Sequence, residues 1–288
     1  MGVTSESEGI RAVALQHAEW AWLLGLDVIP KADSHATPVA SPSTPGSREA
    51  EPEIMSPPRS QSGVARDSSI AAAAPKIASA SASVTVRDDE KAAALVAIHE
   101  RHDATCPHCT SVTGHEQTVF GEGNADANLM FIGEAPGAEE DRTGRPFVGR
   151  AGQKLDEIIG AMGLQRADVY IANILKSRPP DNRTPLTPEI AACAPFLAEQ
   201  IAVIGPRVIV ALGGPATKFL LDTTVGITRL RGQWACYVDS EAEGGAIEIP
   251  IMPTFHPAYL LRNYTAETRG KVWSDMQAVM SRLGWESL

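Results

Sequence analysis

Four short apolar runs, residues 128–133, 168–174, 207–212 and 249–255, alternate with four stretches of helical periodicity, residues 149–163, 187–204, 216–221 and 266–283. A brief apolar run that lacks polar alternation suits a strand buried on both faces. Strand–helix alternation lays such strands side by side and parallel, with the helices above and below them. The sequence therefore predicts an α/β fold of three layers, α/β/α, around a central, mostly parallel four-stranded sheet. A parallel sheet brings the carboxyl ends of its strands to one edge, and ligands of open α/β sheets bind in the crevice outside that edge.

The loops at these four ends are unusual. The first run is followed by GEAPGAEEDRTGRPFVGRAGQ at 133–153, which gathers acids, basic residues and a lone aromatic, Phe147, in a loop that Gly133 and Gly137 allow to turn tightly and Pro136 stiffens. The second is followed by NILKSRPPDNR at 173–183, the third by Gly213-Gly214-Pro215, and the fourth by HPAYLLRN at 256–263. Local signals set some boundaries. Thr187 before Pro188 and Glu189 is expected to cap the helix at 187–204, and Pro195 to kink it. Residues 230–237 and 246–252 read as a hairpin feeding the last strand.

Outside this core the composition changes. Residues 32–86 are dominated by Ala, Ser and Pro with almost no aromatics, a make-up that cannot bury enough surface to offset ordering entropy, and are expected to be a disordered linker. Residues 1–31 carry Ile10, Val13, Leu15, Trp20, Trp22, Leu23, Leu24 and Leu26, enough for one helix with an apolar side. That helix either docks on the main domain or binds a protein partner on a tether. It is too short and too polar to span a bilayer and has no basic leader or small-residue cleavage site, so a cytoplasmic monomer is expected. The catalytic domain is assigned to residues 87–288, entered through a charged, Ala-rich helix beginning near Asp88 and ending before Cys106.

The net charge of −10 argues against a polyanionic partner at face value. Its distribution weakens that argument. Arg142, Arg145, Arg150, Lys154, Lys176, Arg178, Arg183, Arg229, Arg231 and Arg262 all fall in or beside loops at the strand exits; if those loops share one face they form a basic rim with modest, salt-sensitive binding, the alternative being solvated surface charge.

Taken together, the order and spacing of these motifs from about residue 106 to 280 resemble the family 4 uracil-DNA glycosylases of the iron–sulfur type. The resemblance implies a DNA repair enzyme that hydrolyses the N-glycosidic bond of deoxyuridine, releases uracil and leaves an abasic site through water. Such an enzyme must extrude the target nucleotide and read the edge of its base. Phe147 resembles the aromatic that stacks on the flipped uracil. Asn173 matches the uracil-reading asparagine: one amide meets N3–H and O4 together, whereas cytosine inverts both signs. His256, in HP, resembles the histidine that stabilises charge on O2 of the departing base. Glu134, in GEAPG, is the position expected on the water side of the sugar. Glu140 resembles the residue near C5 that would obstruct the methyl of thymine, and Asp141 is read as holding the loop. Tyr259, Leu260, Leu261 and Arg262 look like the segment that approaches the duplex, the alternative for the two leucines being the core of a short turn.

The chain has four cysteines. Cys106, Cys109 and Cys193 match three ligands of the family's [4Fe–4S] cluster, while the third position in motif order is Ser177, within KSRPP. Serine is a poor ligand for a soft metal group. The open outcomes are a cluster with one non-thiolate ligand, a three-iron cluster, another metal such as zinc assisted by His108 or His115, or no metal. Cys236 is read as a buried strand cysteine. Two alternatives to the enzyme stand beside it, both on the same fold: a nucleic-acid-binding protein without turnover, and an iron–sulfur redox sensor.

Overall fold

The computed structural model describes residues 81–111, 114–240, 242 and 245–285. The N-terminal helix expected at 1–31 and the linker up to residue 80 lie outside the described residues. The first described helix, α1 (Ser81–Thr105), starts within the stretch assigned by composition to the linker.

Six strands form one sheet in the order β1-β3-β2-β4-β6-β5: β1 Glu122–Gly123, β2 Leu129–Gly133, β3 Tyr170–Asn173, β4 Val208–Leu212, β5 Ala235–Asp239 and β6 Ile247–Thr254. The four central strands, β3-β2-β4-β6, are parallel, as the apolar runs predict. The two edges are antiparallel, β1 on β3 and β5 on β6. The hairpin expectation is met by β5 and β6. The two-residue β1 has no apolar run to announce it, and Gly123 there lies so close to β3 that a Cβ would stand 1.9 Å from Val169 O.

Residues of β2 alternate between two cores. Met130 and Ile132 face α1, α4 (Thr187–Ile204) and α5 (Gly214–Leu220), through Leu95, Ile98, Leu197, Ile201 and Ala216. Leu129 and Phe131 face α3 (Arg150–Ala161), α7 (Pro257–Arg262) and α8 (Ala266–Leu283), through Leu155, Ile158, Leu260, Val272 and Met276. All four of these β2 side chains are fully buried, each contributing about 1.5–3 kcal/mol. This two-sided burial is why the strand reads as an unbroken apolar run. Two short helices, α2 (Ala138–Thr143) and α6 (Ile227–Leu230), sit in the connections.

The helix expected at 187–204 has those bounds, but Leu186 is its cap and Thr187 its first residue; Glu189 reaches back to accept the Leu186 N–H at 2.7 Å. The helix runs through Pro195 without interruption. Cys236 is exposed on edge strand β5, not buried, because the alternation there turns Tyr237 inward instead. Among the described residues no helix is long and apolar enough to cross a membrane.

Candidate functional site

A cavity of about 640 Å³ opens at the carboxyl ends of the parallel strands, lined among others by Glu134, Glu140, Phe147, Asn173, His256 and Arg262. Register explains the convergence. Gly133 pairs with Asn173, and Leu212 with Thr254, so the residues leaving all four strands emerge around one crevice. The order places β2 between β3 and β4, which the chain visits on opposite sides, making this the switch point of the sheet.

Gly133 is the point of closest approach. A Cβ there would come within 2.4 Å of Asn173 Oδ1 and 2.5 Å of Phe147 Cζ, so only glycine lets the amide and the ring share this corner. Asn173 is 1% exposed, and its Oδ1 is a buried acceptor with no hydrogen-bond partner among the described residues. Buried acceptors are nearly always paired, and leaving one unpaired costs about 1–3 kcal/mol. At the wall of a cavity, such an oxygen is free to accept an N–H from a ligand.

Phe147 is held in a conformation that side chains avoid, with φ of 51°. Its surroundings enforce this. Arg166 donates to Pro146 O at 2.7 Å and Phe147 O at 3.1 Å, and itself pairs with Glu122 and Asp156. Glu140 accepts from the N–H groups of Val148 and Gly149, both at 2.8 Å, and of Gly137 at 3.1 Å, closing the loop across its base. Gly152 lets α3 pack on the Phe147 carbonyl, where a Cβ would meet the oxygen at 1.9 Å. Asp141, buried, accepts from Glu116 N at 2.8 Å and ties the loop to the segment after the cysteine pair. Sequence reasoning missed Arg166, which belongs to no motif and sits on a different connection from the ring it positions.

His256 caps α7, its Nδ1 accepting the Ala258 N–H at 3.1 Å. A neutral imidazole whose Nδ1 accepts carries its proton on Nε2. Burial, reinforced by the Arg262 charge, pushes its pKa down to about 4, so this neutral Nε2–H tautomer is the form at neutral pH. The ring lies 5.6 Å from that of Phe147, centroid to centroid. Strand β6 is anchored just before it: Thr254 donates to the buried Asp275 at 2.7 Å, and Arg231 pairs with the same carboxylate. Glu134 is half-buried at the cavity wall, and burial raises its pKa above the ordinary carboxylate value; among the described residues nothing bonds its carboxylate.

Two expectations change here. Leu260 is 2% exposed and packs in the core beneath α7 with Val272 and Met276, so it is a core residue and not a wedge toward a duplex. Tyr259 and Arg262 do line the cavity, and Leu261 is half-buried beside them. The basic rim is thinner than the sequence suggests. Arg142 pairs with Glu139, Arg145 with Glu122, Lys154 with Glu157, Arg178 with Asp141, Arg183 with Glu189 and Arg231 with Asp275. Lys176 is fully buried, donating to Asn173 O at 2.9 Å and to Gln200, and burial lowers its pKa to about 7. Arg150, Arg229 and Arg262 remain exposed, each within one residue of the cavity lining or part of it.

Behind this wall the cysteines converge. Cys193 Sγ stands 3.7 Å from Cys106 Sγ and 3.6 Å from Cys109 Sγ, and Cys109 donates to Ser177 Oγ at 3.3 Å. None of the three is in a disulfide, and all are buried. Hydrogen bonding from Cys109 holds the Cys193 thiol down at about 4, while Cys109 is pushed up in turn. The residue sequence reasoning missed is His102, whose ligating nitrogen falls with the three sulfurs in one group no wider than 4.8 Å; neither His108 nor His115 is in that group. Its signal was available: it stands four residues before Cys106 on a helix, which puts both on one face. Soft buried donors with no other use are a donor set that fits a thiolate-preferring metal group.

Comparison with known proteins agrees with this geometry. The family model "Uracil DNA glycosylase superfamily" matches residues 120–277. A type-4 uracil-DNA glycosylase of Thermotoga maritima is 46% identical over 177 residues, covering 61% of this chain and 88% of that protein. One from Pyrobaculum aerophilum is 39% identical over 173 residues, covering 59% and 86%. A type-5 uracil-DNA glycosylase of the same organism is 32% identical over 168 residues, covering 52% and 71%. A fold, a crevice and a set of relatives that agree over the same stretch settle the family: the chain belongs to the type-4 uracil-DNA glycosylases of the uracil DNA glycosylase superfamily.

Proposed function

We propose that the protein is a monofunctional uracil-DNA glycosylase that uses water to cleave the N-glycosidic bond of deoxyuridine in DNA, releasing uracil and leaving an abasic site. The observation that carries this reading is the unpaired Asn173 Oδ1. It accepts uracil N3–H, while the amide nitrogen donates to O4. Cytosine offers an acceptor and a donor in the reverse places and leaves both ends of the amide opposed. Phe147, fixed by its backbone clamp, stacks on the extruded base. Glu140, held rigid by three amides, obstructs a methyl at C5 in this reading.

As the glycosidic bond lengthens, electrons pass to uracil N1 and O2. The Nε2–H of neutral His256 donates to O2 and stabilises that charge without giving up its proton. Glu134, ionised, orients water toward C1′ and takes the water proton as the C–O bond forms, while its charge favours the developing cation on the sugar. None of the described cavity-lining residues is lysine, in keeping with attack by water and not by an amine. Arg150, Arg229 and Arg262 supply phosphate contacts, with Tyr259 and Leu261 against the strand. Cys106, Cys109 and Cys193 supply three ligands to a [4Fe–4S] cluster. Bound there, it would join the segment just past α1, through Cys106 and Cys109, to α4, through Cys193; no step of uracil release is assigned to it.

The test is base release from a uracil-containing oligonucleotide, followed by borohydride. Free uracil and an alkali-labile abasic site with no trapped protein–DNA adduct are expected. DNA affinity without uracil release would overturn the enzyme reading, and a trapped adduct the water-dependent one.

A further inference from the structure

Three thiols do not complete the metal centre, and Ser177, the residue in the place of the fourth, has a weak claim on it. Its hydroxyl accepts from Cys109 at 3.3 Å and is a hard donor that a soft metal group disfavours. Another side chain satisfies each condition of a ligand. His102 is 0% exposed, and its buried Nε2 has no hydrogen-bond partner among the described residues. Its other ring nitrogen lies 2.8 Å from Asp103 Oδ1, which also accepts from Thr118 Oγ1 at 2.8 Å. A carboxylate on Nδ1 fixes the proton there and leaves the Nε2 lone pair free, the arrangement found behind metal-bound histidines. The ring is held in place by Phe196, edge-on at 4.9 Å. That free lone pair belongs to the same group, within 4.8 Å, as the sulfurs of Cys106, Cys109 and Cys193.

We propose that His102 is the fourth protein ligand of this centre, making it a Cys3His site in which Ser177 is a neighbour that hydrogen-bonds Cys109 and does not ligate. The proposal rests on the cysteine centre described above and is independent of the glycosylase chemistry. Imidazole in place of thiolate removes one negative charge from the ligand set, and for an iron–sulfur cluster that raises the reduction potential. The same ligand set also suits one tetrahedral ion, since sulfurs about 2.3 Å from a zinc stand about 3.8 Å apart. The assay therefore has to separate the two groups.

The experiment is metal and acid-labile sulfide analysis, with visible and electron paramagnetic resonance spectra, on full-length protein purified anaerobically after growth with iron and zinc. Wild type is compared with His102→Gln, His102→Cys and Ser177→Ala. Expected are iron and sulfide in wild type, more than about tenfold lower occupancy in His102→Gln, retention in Ser177→Ala, and restored occupancy with an altered spectrum in His102→Cys, which guards against simple misfolding. Zinc without sulfide showing the same dependence on His102 supports the ligand assignment while overturning the cluster. Full occupancy in His102→Gln, or loss in Ser177→Ala with His102→Gln unaffected, overturns the assignment. A wild type without either metal overturns both.

Discussion

The crevice at the strand ends and the cysteine centre behind it solve opposite problems with similar material. Both bury polar groups that no other described residue satisfies: Asn173 Oδ1 in the first, His102 Nε2 in the second. In the crevice Asn173 faces an open cavity beside Phe147, whose own loop is strained and clamped, as suits a ligand that arrives and leaves. In the centre the donors face one another with sulfurs at contact distance, as suits a group that stays. A site for a transient ligand keeps its rigidity in the surrounding backbone, whereas a site for a resident one leaves it to the bound group. One described side chain, Lys176, touches both, through Asn173 O and the field of Cys193 and Cys109.

The comparison breaks if changes to the crevice alter metal content, or if they leave base release untouched. The largest effect is expected from Gly133→Ala. Its Cβ would push apart Asn173 Oδ1 and Phe147 Cζ, and uracil release in single turnover should fall by more than about 10³-fold with metal content unchanged. Next comes His256→Ala, which removes the Nε2–H donor and should slow the chemical step by about 10²–10³-fold with little change in DNA affinity. Single-turnover rates at saturating enzyme separate the two quantities. Arg166→Ala releases the Pro146 and Phe147 carbonyls and should slow release by about 10–10²-fold, because the ring loses its fixed pose while every base-contacting group is intact. Arg166→Lys, which cannot bridge both carbonyls and Glu122 together, should recover little of the loss.

The smallest effect is on pH dependence. The proposed attack by water needs Glu134 ionised, and burial raises its pKa, so the acid limb of the single-turnover rate should fall away at a higher pH than an ordinary glutamate would give, and Glu134→Gln should abolish that limb. His256, with its pKa near 4, is neutral above that range and should add no limb between pH 6 and 8. A limb in that window that vanishes in His256→Ala would show that the histidine works protonated.

Much of the fold was legible because its signals are local. The bounds of α8 and the four buried parallel strands follow from apolar period and run length. What was not legible depends on distant pairing. Arg231 looks like a rim cation until Asp275, forty-four residues on, neutralises it. Leu260 could face a duplex or the core of a short turn until α7 is laid on α3 and α8, which buries it. The cavity residues Glu134, Phe147, Asn173 and His256 were placed by motif, and the structure brings them together. Arg166 carries no motif and His102 only its spacing from Cys106, and the contacts show what each holds.

The central claim is that Asn173 reads the base. Single-turnover base release by wild type and Asn173→Asp should be measured on matched oligonucleotides carrying uracil or cytosine, since a carboxylate accepts from the cytosine amino group and opposes uracil O4. Uracil release should fall by about 10³-fold or more and the uracil-to-cytosine ratio should collapse. A variant that keeps the wild-type ratio would contradict that claim.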